Sequence, residues 1–130
     1  MMTLDRSGNA TFAGNVTAYS DVRLKENIET IPNAIETVKK IRGVTFDWKE
    51  SGDEGMGVIA QEIEEVPILK RLVNDTPIDG VSEFPQKNVA YGNMVGLLIE
   101  AIKEQQDNIE KQQEVINRLE SEINNLKKEK

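Results

Sequence analysis

The stretch that decides the fold is Val95–Lys128, VGLLIEAIKEQQDNIEKQQEVINRLESEINNLKK. Val95, Ile102, Ile109, Ile116 and Ile123 recur every seven residues. Leu98, Gln105, Gln112, Leu119 and Leu126 fill the second apolar position of the heptad. An a/d seam held over more than four heptads, with no Gly or Pro after Gly96, predicts a coiled-coil helix. Gln, Glu, Lys and Asn dominate the flanking positions, as a solvated rim requires. A helix of about 35 residues is roughly 50 Å long. A small globular body cannot cover such a seam, so partner chains must. Ile at a with Leu at d leans toward a parallel dimer, whereas seam glutamines set register and oligomer state at a cost. The heptads therefore predict a parallel oligomer and leave two or three chains open. The helix lacks a basic face, which argues for oligomerisation rather than for lying on a membrane.

Upstream of the helix the pattern is mixed. Ala34, Ile35, Val38 and Ile41 lie at helical spacing, Pro32 suits a first turn and Gly43 suits a stop, which predicts a helix over 32–42. GVTFDWKE then alternates, with Val44, Phe46 and Trp48 on one face of a strand. Phe46 and Trp48 are expected in the core or at a subunit interface. Glu50–Gly55 reads as a loop and MGVIA, from Met56, as a second strand. Gly55 and Gly57 read as turn glycines, not a phosphate loop, since no GK[ST] follows. Gln61–Val66 reads as one or two helical turns stopped by Pro67, with Gln61 and Glu62 at the change from strand to helix. RLVND and KNVAY read as a loose hairpin around the turn-rich DTPIDG. The expected fold class is α+β: a small mixed body over 20–91, then a long helix over 92–130.

Residues 1–19 read as short β-structure, with turn signals at Ser7–Asn9 and Ala13–Asn15. They are too poor in apolar residues to make a sheet alone and read as the end of a longer β-structured region.

Composition narrows the chemistry. The 130 residues carry 38% apolar and 30% charged side chains and a net charge of −7. An acidic chain is repelled by phosphates, so neither nucleic acid nor an anionic membrane is an expected partner. No run is long enough to span a bilayer, and no signal-peptide pattern is present. The chain has no cysteine and no histidine. That removes disulfides, thiolate metal sites, Ser-His-Asp and Cys-His arrangements and the HExxH zinc site. No acidic calcium loop is found, and neither metal nor cofactor is expected.

Covalent chemistry, if any, rests on serine and lysine. AYSDVRLKENIE, Ala18–Glu29, places Ser20 five residues before Lys25. A serine nucleophile needs a base. Lysine is a base only when neutral, about one in two thousand at pH 7 for an ordinary lysine, and burial or a nearby cation such as Arg23 raises that share. Five residues apart, the side chains diverge on a helix and on a straight strand. A direct contact needs a bend, and a serine before a helical segment is also an ordinary N-cap.

The order of blocks adds information. SDVRLKENI, a short helix, VTFDWK, GVIAQEIEEV and NVAYGNMVGLLIEAIKEQ resemble the self-cleaving intramolecular chaperone domain at the C-terminus of bacteriophage tail fibres, tailspikes and endosialidases. The resemblance runs colinearly from residue 20 to about 105. It implies an intertwined homotrimer that templates the upstream fibre shaft of the same chain, with residues 1–19 as the end of that shaft. It implies one cut per chain, at Tyr19–Ser20, with Ser20 as nucleophile and Lys25 as base. Asp21, Arg23, Glu26, Gln61 and Glu62 are supporting candidates. A carboxylate touching Lys25 would oppose its role as base, so Asp21 and Glu26 rank below the pair. The implied setting is the host cytoplasm during virion assembly, with the domain released from the mature fibre. The alternatives are a trimerisation cap that never cuts, or a receptor-binding tip, for which exposed aromatics are few.

Overall fold

The computed structural model describes residues 1–6, 8–76 and 86–129. The architecture is α+β, a small strand-and-helix body followed by one long helix. At the start, β1 (Met2–Leu4) and β2 (Ala10–Phe12) pair antiparallel, Met2 opposite Phe12. Every described residue of this hairpin is exposed. It has β-geometry but no buried face, as its lack of apolar residues predicts.

In the body, α1 is Ala34–Val38, shorter than the 32–42 expected. Asn33, in the left-handed region at φ 50°, caps it and separates Pro32 from the helix. Beyond Val38 the chain tightens, with Lys40 N–H donating to Thr37 O and Ile41 N–H to Val38 O. Gly43 is therefore not the stop, and its φ is not left-handed.

A hairpin follows, β3 (Val44–Asp47) against β4 (Glu54–Gly57), with Phe46 opposite Gly55 and Val44 opposite Gly57. The second strand starts two residues earlier than expected, and Gly55 and Gly57 are strand residues rather than turn residues. A Cβ at Gly55 would lie 2.5 Å from Phe46 Cε2, and one at Gly57 would lie 2.5 Å from the Tyr91 hydroxyl. Close approach of aromatic rings, not a turn, demands glycine there. Trp48 lies past the end of β3, 60% exposed, edge-on to Phe46 at 5.2 Å. It is not part of the core of a single chain.

Next, α2 (Ala60–Glu64) packs its fully buried Ile63 inward. Pro67 opens a 3-10 helix, Pro67–Leu72, rather than closing the chain off, because a missing N–H costs nothing at a helix start. Consequently the expected strand RLVND begins only at Val73. β5 (Val73–Thr76) pairs antiparallel with β6 (Gln86–Val89). Most of the expected DTPIDG turn, from Pro77, lies outside the described residues.

After a 3-10 turn at Tyr91–Asn93, α3 runs unbroken from Met94 to Lys128, 35 residues. The core gathers Ala34, Ile63, Val66, Leu69, Leu72, Leu97 and Ala101, with Ile31, Ile35, Val38, Val58 and Met94 around them. Burial of such side chains stabilises by about 1.5–3 kcal/mol each. Only the first turns of α3 take part.

Candidate active site

Ser20 and Lys25 meet. Asp21, in extended backbone, caps a 3-10 turn over Val22–Leu24, its side-chain Oδ1 accepting from Arg23 N–H at 2.8 Å. Within that turn Leu24 N–H donates to Asp21 O and Lys25 N–H to Val22 O. Lys25 returns to extended backbone at φ −128° and ψ 148°. The turn is the bend the spacing required, and it folds Lys25 back so that Nζ donates to Ser20 Oγ at 2.7 Å. The cap is therefore Asp21, not Ser20. Asn27, at φ 52°, adds a second bend, in a conformation asparagine tolerates.

Of the supporting candidates, Asp21 and Arg23 form a fork. Arg23 Nε lies 3.0 and 3.1 Å from the two carboxylate oxygens and Nη2 lies 2.6 Å from Oδ2. The Arg23 side chain first, and its backbone N–H second, hold the Asp21 carboxyl below its ordinary range. Glu26 makes no hydrogen bond or ion pair with a described residue. Gln61 is exposed in the first turn of α2 and caps nothing. Glu62 instead grips Arg42 at 2.7, 3.0 and 3.1 Å, tying α2 to the chain just after α1, and this guanidinium lowers the Glu62 pKa.

The surroundings of the pair are open. Ser20 and Lys25 are both exposed, and so are the apolar side chains of Tyr19, Val22, Leu24 and Ile28. Tyr19 is 95% exposed. No three His, Cys, Asp or Glu residues converge on a metal-sized site among the described residues. No helix described is long and apolar enough to cross a membrane.

Glu104 is the residue the sequence reading missed. Its carboxylate accepts from Ala34 N–H at 2.7 Å and Ile35 N–H at 2.9 Å, capping α1 from a distance of 70 positions along the chain. Asn33 makes no side-chain cap of its own. The backbone N–H groups of Ile35 and then Ala34 pull the Glu104 pKa down. The available signal was Leu97 and Ala101, apolar residues outside the a/d positions that share a helix face with Glu104. Tyr91 was passed over too. Its hydroxyl accepts from Val58 N–H at 3.2 Å and fits over Gly57.

The seam residues Val95, Leu98, Ile102, Ile109, Ile116, Leu119, Ile123 and Leu126 are all exposed in the single chain, between 46% and 64%.

A family model described as chaperone of endosialidase, whose label classes it with peptidases, matches residues 20–74. Its first residue is Ser20. The chain is 34% identical over 96 residues to the long tail fiber protein Gp37 of Enterobacteria phage K3, covering 70% of this chain and 7% of that protein. The counterpart from Enterobacteria phage T2 gives the same figures. That of Escherichia phage AR1 is 34% identical over 103 residues, 73% of this chain and 9% of the relative. The chain thus spans less than a tenth of the length of these three fibre proteins. Residues 20–74 belong to the chaperone-of-endosialidase family, and most of the chain is similar to a short part of phage long tail fiber proteins.

Proposed function

We propose that this chaperone domain joins three copies of its chain through the α3 seam, templates the folding of the fibre shaft that precedes it, and then cuts itself away between Tyr19 and Ser20. The observation that carries the cut is the 2.7 Å contact between Lys25 Nζ and Ser20 Oγ, one residue past the bond to be broken. With a charged lysine, Nζ donates to the hydroxyl oxygen. With a neutral lysine, the same separation lets the hydroxyl donate to Nζ, which is the arrangement of a general base and its nucleophile.

Oγ bonds to the Tyr19 carbonyl carbon while its proton passes to Nζ. The bond from that carbon to the Ser20 nitrogen breaks, and the nitrogen takes the proton back from Nζ. The result is an ester between Tyr19 and Ser20 with a free Ser20 amine. Water hydrolyses the ester, leaving a Tyr19 carboxylate and the restored hydroxyl.

Exposure supports a cut that waits for assembly. A solvated lysine favours its charged form, and desolvation disfavours it. Tyr19, Val22, Leu24 and Ile28, in the same segment as the pair, leave apolar surface uncovered, which a neighbouring copy would bury. The same exposure favours the second reading for an unassembled chain, a trimerisation cap that does not cut.

A denaturing gel of the purified chain tests the proposal. Processing removes 19 residues, about 2 kDa at roughly 110 Da per residue. Ser20→Ala and Lys25→Ala should each abolish the smaller band. Full cutting in either variant excludes that residue from the reaction. Intact wild-type trimers at every pH leave the cap as the function.

A further inference from the structure

We infer that Arg23 is a positioning residue that holds the Asp21 carboxylate away from Lys25, leaving the lysine free to act as the base for Ser20. This rests on the proposed cut at Tyr19–Ser20 and assigns a separate duty within that site.

The turn that folds Lys25 over Ser20 creates a hazard. It draws the lysine back toward Asp21, the residue next to the nucleophile. A carboxylate near a lysine is its natural partner, and such a partner favours the charged, non-basic form. Yet Lys25 donates to Ser20 and pairs with no carboxylate among the described residues. Arg23 instead occupies both oxygens of Asp21, at 3.0 and 3.1 Å from Nε and 2.6 Å from Nη2. A planar guanidinium suits two-oxygen binding better than an ammonium does. It also keeps its charge throughout the range in which a lysine base loses its proton. Asp21 is needed for another reason, since Oδ1 also accepts from Arg23 N–H and so closes the turn. The site keeps the cap and neutralises its charge. The segment's remaining titratable groups, Tyr19, Glu26 and Glu29, make no hydrogen bond or ion pair with Lys25.

The test is the pH dependence of the first-order cutting rate in the full chain. For the wild type the rate should rise with pH as the base loses its proton. In Arg23→Gln the released carboxylate should move the midpoint of that rise up by about one pH unit or more. The double variant Asp21→Asn/Arg23→Gln keeps a capping side chain without a charge and should return the midpoint to within a few tenths of the wild type. A turn held only structurally by Arg23 would not be rescued by removing its partner. An Arg23→Gln profile that superimposes on the wild type overturns the inference, and so does a double variant shifted as far as the single. If Arg23→Gln is inert at all pH values, a double variant that cuts with the wild-type profile supports the inference and an inert double overturns it. Ser20→Ala separates the two ideas: cutting in that variant defeats the proposed reaction itself, whatever the Arg23 profiles show.

Discussion

The first three turns of α3 and the helix beyond them are built from one continuous heptad pattern, yet they meet different surroundings. From Met94 to Glu104 the helix uses two faces at once. Leu97 and Ala101 are buried in the core on the side facing α1, and Glu104 caps α1, while Val95, Leu98 and Ile102 stay exposed. At 100° per residue the two faces lie roughly 120° apart around the axis. From Gln105 to Glu129 every residue is exposed, and the seam runs along this stretch as an apolar stripe. The stalk is therefore not an appendage to the body. Its seam runs alongside the body without being used by it, so copies joined at the seam would hold their bodies side by side.

That comparison can be broken at several points. The largest effect is expected from Ile109→Asp with Ile116→Asp, which puts charges into the proposed interface while touching nothing in the body. Sedimentation should show loss of the oligomer, and cutting should stop with it. A monomer that still cuts at the wild-type rate would defeat the proposal that cutting waits for assembly. Leu97→Ala attacks the other face. It should cost about 2–5 kcal/mol as a buried cavity, read as an earlier denaturant midpoint for the body, with the helical signal of the stalk melting separately. Gly57→Ala should cost less, about 1–3 kcal/mol from overpacking against Tyr91, since the ring can shift more readily than a core can collapse. The smallest change is expected from Glu104→Gln. The Glu104 carboxyl sits below its ordinary range when folded, so its stabilisation is present above that range and fades as pH falls through the folded value. The variant should be less stable at neutral pH, and its Tm should fall less on acidification. Parallel Tm profiles for variant and parent would show that the cap does not link α3 to α1.

The inner face of α3 is also where the sequence reading fell short. Heptad positions announce themselves by repetition, whereas Leu97, Ala101 and Glu104 occur once each. Nothing in the heptads marks Glu104, because its partners are backbone N–H groups some 70 positions away. Gly55 and Gly57 misled for a similar reason. Glycine usually marks a turn, and only the rings of Phe46 and Tyr91 reveal that these two leave space inside a strand. α1 came out shorter than its apolar spacing suggested, since Asn33 in the left-handed region begins the helix after Pro32.

Sequence alone settled the α+β class, the long helix and its outward seam, because periodic burial is written into periodic residue type. It also singled out Ser20 and Lys25, since a chain without histidine or cysteine has few other means of covalent chemistry. The tertiary structure decided whether the two could touch. A spacing of five permits contact only through a bend, and the bend is a single 3-10 turn capped by the Asp21 side chain. Such local hydrogen-bond geometry has no period in the sequence, and one residue's side chain sets it.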